Sequence, residues 1–236
     1  MTKQKDIIVY IRAGQNEELR YAIRTWAKNL TFRKLCVVGG PKPVWLNPDI
    51  YIENRTHWSL MRQCYENLSL ALSDDRLTPD VLILMDDVFV MHPVGTWAIN
   101  YDRGSLQKQL QRAEERGTIG NTYNELVRAT YDELRKNYNN PRSFEEHAPF
   151  LCNRKKMLDL FAKYPDEAQR SHLLWRSLYG NHYDIQSIYR PDIKLATQAD
   201  LVPMAADVVS TNDSSFKGRI RPILEDYFPQ KSRYEN

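Results

Sequence analysis

The chain has 236 residues, of which 42% are hydrophobic, with 33 basic and 30 acidic side chains for a formal charge of +3. That is enough apolar matter for one sizeable core, which excludes a disordered chain. The mildly basic balance permits an anionic partner without demanding one, and no long apolar run offers a membrane span. The N-terminus, MTKQKD, lacks the apolar stretch of an export signal, so the chain is expected in a cytoplasm. Cys36, Cys64 and Cys152 are widely spaced among apolar neighbours and read as reduced core residues, not as a metal or disulfide set.

In chain order, Asp6–Arg12 (DIIVYIR) is a β-branched apolar run and reads as a buried strand. A turn over Ala13-Gly14-Gln15-Asn16 comes next. Leu19, Ile23, Trp26 and Leu30 then recur on one face of a helix over Glu17–Leu30, with Asn16 as its expected N-cap. Lys34–Val38 and Asp49–Ile52 read as further strands, and Trp58–Leu72 as a helix. Val81–Met85 (VLILM) is apolar at every position, the pattern of a strand covered on both faces and hence central and parallel. Val88–Met91 resumes an extended run. Ser105–Arg116 and Thr122–Tyr138 read as amphipathic peripheral helices, and Arg154–Lys163 as a helix capped by Asn153. His172–Tyr179 reads as one more helix, and Asp184–Tyr189 as a return to the sheet. The alternation predicts one α/β domain over 1–236: a mainly parallel sheet flanked by helices, with a Rossmann-like half at 1–100 and a more helical half at 101–236.

Ligands in such sheets bind beyond the carboxyl ends of the strands. Asp86 and Asp87 stand there, just after VLILM. Two adjacent carboxylates at a buried strand end repel each other unless a cation lies between them. Mg²⁺ or Mn²⁺ suits this, held by one or two carboxylates and by substrate phosphates. The competing reading is a solvated turn, which fits poorly with the apolar VFVM immediately after the pair. Arg12, Arg20 and Arg24 are candidate phosphate ligands, although Arg20 and Arg24 equally suit a solvated helix face paired with Glu17 or Glu18. The turn containing Gly14 matches neither a P-loop nor a dinucleotide fingerprint. His147, beside Glu145 and Glu146, is a candidate general base or a plain surface histidine, with His172 and His182 behind it. Asn212-Asp213 opens a turn, and Lys217, Arg219 and Arg221 come after it as phosphate ligands or as a solvated basic tail.

Taken together, the segments DIIVYIR, NEELRYAIRTW, KLCVVGG, PVWLNPD, LMDDVFV, EEHAPFLCNRKKMLDLFAKYP, SHLLWRSLYGN, STNDSSF and DYFPQKSRYE resemble, in order and over nearly the whole chain, the Stealth family of sugar-phosphate transferases. The chain also resembles small phage-borne relatives often called glycosyltransferases. The resemblance implies a glycosyltransferase-A-like core, a nucleotide-sugar donor (a UDP-sugar foremost) and a divalent metal. It implies Asp86 and Asp87 as metal-site acids, His147 as catalytic base, Arg176 as a donor-phosphate ligand, and Asn212 and Asp213 as the last block's Asn-Asp pair. The opening block departs from the family, reading YIRAGQNEE in place of a tryptophan-valine-aspartate-glycine run. Met85 also replaces an asparagine. The expected activity is sugar transfer to a hydroxyl, with a hydroxymethylated base in phage DNA as one acceptor. The alternatives are sugar-1-phosphate transfer to a glycan and a non-catalytic nucleotide-sugar or DNA-binding module.

Overall fold

The structure, a computed structural model, describes residues 4–55 and 59–236. Its elements run β1 (Asp6–Ile11), α1 (Glu17–Asn29), β2 (Leu35–Gly39), β3 (Ile50–Glu53), α2 (Leu60–Leu72), β4 (Asp80–Leu84), β5 (Val88–Val90) and β6 (Asn100–Asp102). Then come α3 (Leu106–Glu115), α4 (Thr122–Leu134), β7 (Phe150–Asn153), α5 (Arg154–Ala162), α6 (Glu167–Arg170), α7 (Trp175–His182), β8 (Ser187–Tyr189) and β9 (Val208–Ser210). The chain ends with α8 (Asp213–Ser215), a π-helical turn (Phe216–Ile220) and α9 (Arg221–Tyr227).

The main sheet has the order β3-β2-β1-β4-β7. β1, β2, β3 and β4 are mutually parallel, and β7 returns antiparallel to β4, with Val81 opposite Cys152. The expected α/β architecture, a mixed and mainly parallel sheet between helices, is therefore present. The apolar runs are explained by two cores, one on each face. Ile7, Val9, Ile11, Leu82 and Leu84 pack toward α1, while Ile8, Val81 and Ile83 pack toward α2, α5 and α7. Alternate residues of a strand point to opposite faces, so a strand with a helix layer on each side must be apolar throughout.

Several expected elements move. Asp184–Tyr189 does not rejoin the main sheet; β8 instead pairs with β6 in a separate two-stranded ribbon. The fifth strand is β7, inside the segment PFLCN, where no strand was expected. The helix read at His172–Tyr179 begins later, at Trp175, because His172 and Leu173 close the turn after α6. Trp58, expected to open the second helix, lies outside the described residues. Asn16 does not cap α1. It adopts a left-handed conformation, and its side-chain amide donates to the Arg12 and Gly14 carbonyls, which ties the loop to itself. Cys36, Cys64 and Cys152 are unpaired and buried, as read from the sequence.

Candidate active site at the carboxyl edge of the sheet

The two acids are fixed by the strand after them. Val88–Val90 is clamped onto α1, because Trp26 Nε1 donates to the Val88 carbonyl at 2.8 Å and Asn29 Nδ2 donates to that of Val90 at 2.7 Å. Thr25 Oγ1 accepts the Val90 amide at 3.0 Å. β5 also pairs antiparallel with β9, Val88 opposite Ser210. Asp86-Asp87 is thus a two-residue turn caught between two buried strands. The antiparallel pairing carries Thr211, Asn212 and Asp213 back to the same edge, where the Thr211 amide donates to the Asp87 carbonyl at 3.2 Å.

Both acids line a concavity of about 400 Å³. Arg12, His147, Arg176 and Lys194 line the same cavity, between an apolar wall that includes Met61, Leu126 and Trp175 and the carboxyl ends of β1 and β4. A second hollow of about 390 Å³ holds Arg12, Gly14, Asp213 and Lys217, with Asp86 and Arg12 forming the wall shared by the two. Gly14 turns the loop there at φ +140°, where a side chain would be strained although the space beside it is open.

The charges are arranged under tension. Asp86 is half-buried, and its carboxyl is pushed up to about 7, first by burial and then by Asp87 and Asp213, with Arg12 opposing. Glu18 behind it is likewise raised to about 7 by burial and by Asp86, Asp87 and Asp213. Asp87 Oδ2 lies 3.3 Å from Lys194 Nζ, while its Oδ1 is buried with no hydrogen-bond partner among the described residues. A buried carboxylate oxygen without a donor is costly unless a ligand completes it. Among the described residues no set of three or more His, Cys, Asp or Glu side chains is arranged to hold a metal by itself. Asp86 and Asp87 are the residues that could hold a hard cation, whose other ligands would be phosphate oxygens and water. The orphaned Asp87 Oδ1 fits that role.

His147 is held by a partner that sequence patterns do not single out. Its Nδ1 lies 2.6 Å from Asp192 Oδ2, and its main-chain amide donates to Asp192 Oδ1 at 3.1 Å. Burial alone would raise the Asp192 carboxyl, but the hydrogen bond and charge of His147, helped by Arg103, hold it below its ordinary value. A carboxylate only accepts, so Nδ1 carries a proton toward Asp192, and the other ring nitrogen, Nε2, lies 3.0 Å from Lys194 Nζ. Neighbouring Glu146 is pushed up to about 8 by burial and by Asp192, despite Arg103 Nε at 3.3 Å. Arg176 is buried. It donates to the Glu146 carbonyl and lies over the Trp175 ring at 5.0 Å, and its Nη2 finds no hydrogen-bond partner among the described residues. A buried guanidinium with a spare donor calls for an oxygen-rich anion.

Three expected ligands stand elsewhere. Arg20 points away from both cavities, 3.7 Å from Glu235 and over the Trp45 ring at 4.8 Å. Arg24 pairs with Glu235 as well, while Glu17 pairs with Arg221, so the expected Arg20 and Arg24 pairing with Glu17 or Glu18 is not found. The Asn212 side chain is spent capping α8, accepting the Ser214 and Ser215 amides and donating to the Ala196 carbonyl. It lines neither hollow, whereas Asp213 beside it lines the second and lies 3.6 Å from Arg12. His172 and His182 are bonded to Ala168 and to Tyr138 and Lys163, away from the cavity. α4, expected to be peripheral, supplies Tyr123 and Leu126 to the cavity wall. Asp192, Lys194 and Glu18 are the residues that sequence reasoning missed. Asp192 and Lys194 alternate along one extended segment, but nothing local to RPDIK marks that pattern as functional.

No protein-family model matches the chain, and no curated protein matches it. Among solved structures it is similar to the apo form of the glycosyltransferase GlyE from Streptococcus pneumoniae. The TM-score is 0.49 and the identity 12%, over 97% of this chain and 61% of that one. The chain thus spans less than two thirds of the length of that protein.

Proposed function

We propose that the chain transfers a sugar from a nucleotide-sugar donor, a UDP-sugar foremost, to an acceptor hydroxyl, with Mg²⁺ or Mn²⁺ on Asp86 and Asp87. The observation that carries this reading is the half-satisfied carboxylate pair at the end of β4, opening into one cavity with the buried Arg176 guanidinium and the His147–Asp192 dyad. A sheet flanked by helices, with its polar groups gathered at the carboxyl ends of the strands, is an architecture suited to nucleotides.

The bound cation would supply charge neutralisation at the diphosphate. The rest falls to the chain's own groups. Arg176 Nη2 and Arg12 bind phosphate oxygens, and Asp213 and Lys217 shape the adjoining hollow. Asp192 keeps the imidazole in the tautomer whose Nε2 can take a proton. His147 then receives the acceptor's hydroxyl proton as the acceptor oxygen bonds to the anomeric carbon and the nucleoside diphosphate departs. The apolar wall excludes water, which strengthens each of these charge interactions and limits hydrolysis of the donor.

The test is a panel of nucleotide sugars with Mn²⁺ or Mg²⁺, offered hydroxymethylated DNA or glycans, with donor consumption and product mass as readouts. A mass increase of one sugar is expected. An added sugar phosphate would move the chemistry to phosphorus, and no donor consumption at all would favour a binding module. Asp87→Ala, folded by circular dichroism, should lose at least ~100-fold in turnover. Unchanged turnover in that variant removes the site assignment.

A further inference from the structure

The proposed mechanism leaves one side chain in an awkward position. Lys194 Nζ lies 3.0 Å from His147 Nε2 and 3.3 Å from Asp87 Oδ2. It thus covers the lone pair that a general base must present and holds a carboxylate that a metal would need. An ammonium only donates, so its hydrogen bond to Nε2 and a proton taken up at Nε2 are mutually exclusive.

We infer that Lys194 is a movable counterion, which holds Asp87 and masks His147 in the free protein and shifts to the donor's diphosphate once metal and nucleotide bind. This rests on the transferase function proposed for the same site. The backbone around Lys194 is pinned: the Ser210 amide donates to the Ile193 carbonyl at 3.0 Å, and the Leu195 amide donates to that of Ser210 at 2.8 Å. The side chain is one-third exposed, and its four-carbon stem can swing without moving that backbone. The pinned segment lies beside β9, which pairs with β5, so its root stays next to the acids. A cation bound at Asp87 repels the ammonium, and the diphosphate offers it a new partner inside the same cavity.

The base is uncovered only after the donor is seated. Metal and nucleotide also bind cooperatively, because the nucleotide draws away the cation that competes with the metal.

The experiment measures Mn²⁺ affinity by electron paramagnetic resonance with and without UDP, and UDP affinity by calorimetry at fixed Mn²⁺. It compares wild type, Lys194→Met and Lys194→Arg, each checked for an unchanged melting profile. Removing the competing charge should make Lys194→Met bind Mn²⁺ alone roughly tenfold tighter and UDP roughly tenfold weaker, since ~1.4 kcal/mol of charge interaction corresponds to that factor. Lys194→Arg should keep the wild-type coupling in sign. Opposite movement of the two affinities supports the proposal, because a merely structural lysine would weaken both or neither. If wild type binds Mn²⁺ and UDP but Lys194→Met leaves both unchanged, or weakens both, the counterion role is overturned while the transferase reading stands. If wild type binds neither, both readings fall together.

Discussion

Asp86→Asn should make the protein more stable and less active at the same time. The Asp86 carboxyl is pushed from 3.8 to about 7 by burial and by the charges of Asp87 and Asp213. At ~1.4 kcal/mol per pH unit, keeping it ionised at pH 8 costs the fold at most ~4 kcal/mol. The side chain is half-buried and solvent screens part of this, so we expect ~2 kcal/mol to be recovered by the neutral amide. For a chain of this length that is a rise in Tm of roughly 4–8 °C. The effect depends on pH with a definite sign. Between 3.8 and about 7 the folded chain keeps a proton that the unfolded chain has released, so wild-type stability falls as pH rises through that window. The advantage of Asp86→Asn should therefore be full at pH 8 and shrink to under ~1 kcal/mol at pH 5. Thermal melts of both proteins at the two pH values read this directly, and Mn²⁺ with UDP should narrow the gap at pH 8 by stabilising only the wild type. A variant no more stable than wild type at pH 8, or equally advantaged at both pH values, would refute the crowded-carboxylate account.

Four further outcomes are expected. His147→Ala should lower kcat by ~10²–10⁴-fold while leaving UDP affinity in place, and Asp192→Asn should lower kcat by ~10-fold or more through loss of the tautomer lock, both read from steady-state kinetics. Arg20→Ala should leave UDP binding by calorimetry unchanged and cost less than ~1 kcal/mol of stability, because its ion pair with Glu235 is long and its place is outside both cavities. Gly180→Ala should cost ~1–3 kcal/mol in urea unfolding, since a Cβ there would sit 2.4 Å from the Phe144 ring in a packed core.

Local patterning was enough to mark the sheet's central strands, the helices that cover them and the position of Asp86-Asp87 beyond β4. These rest on short-range rules: period and β-branching mark DIIVYIR and VLILM, and a charged pair between two apolar runs marks a polar edge. β7 escaped that reading because PFLCN is short and runs straight into a helix, so only its pairing with β4 makes it a strand. Asn16 shows the same limit, since a good capping residue turned its amide back on its own loop. Tertiary structure alone decided which polar groups meet. Asp192 and Lys194 lie more than forty residues from His147, and Lys194 more than a hundred from Asp87; they join the site only because the segment beside β9 is drawn to β5. Arg20 and Arg24, close in sequence to the loop between β1 and α1, were taken away by Glu235 near the opposite end of the chain. Hydrophobic period is a local property that fixes which face of an element is buried, whereas an ion pair or a hydrogen bond depends on where distant backbones come to rest.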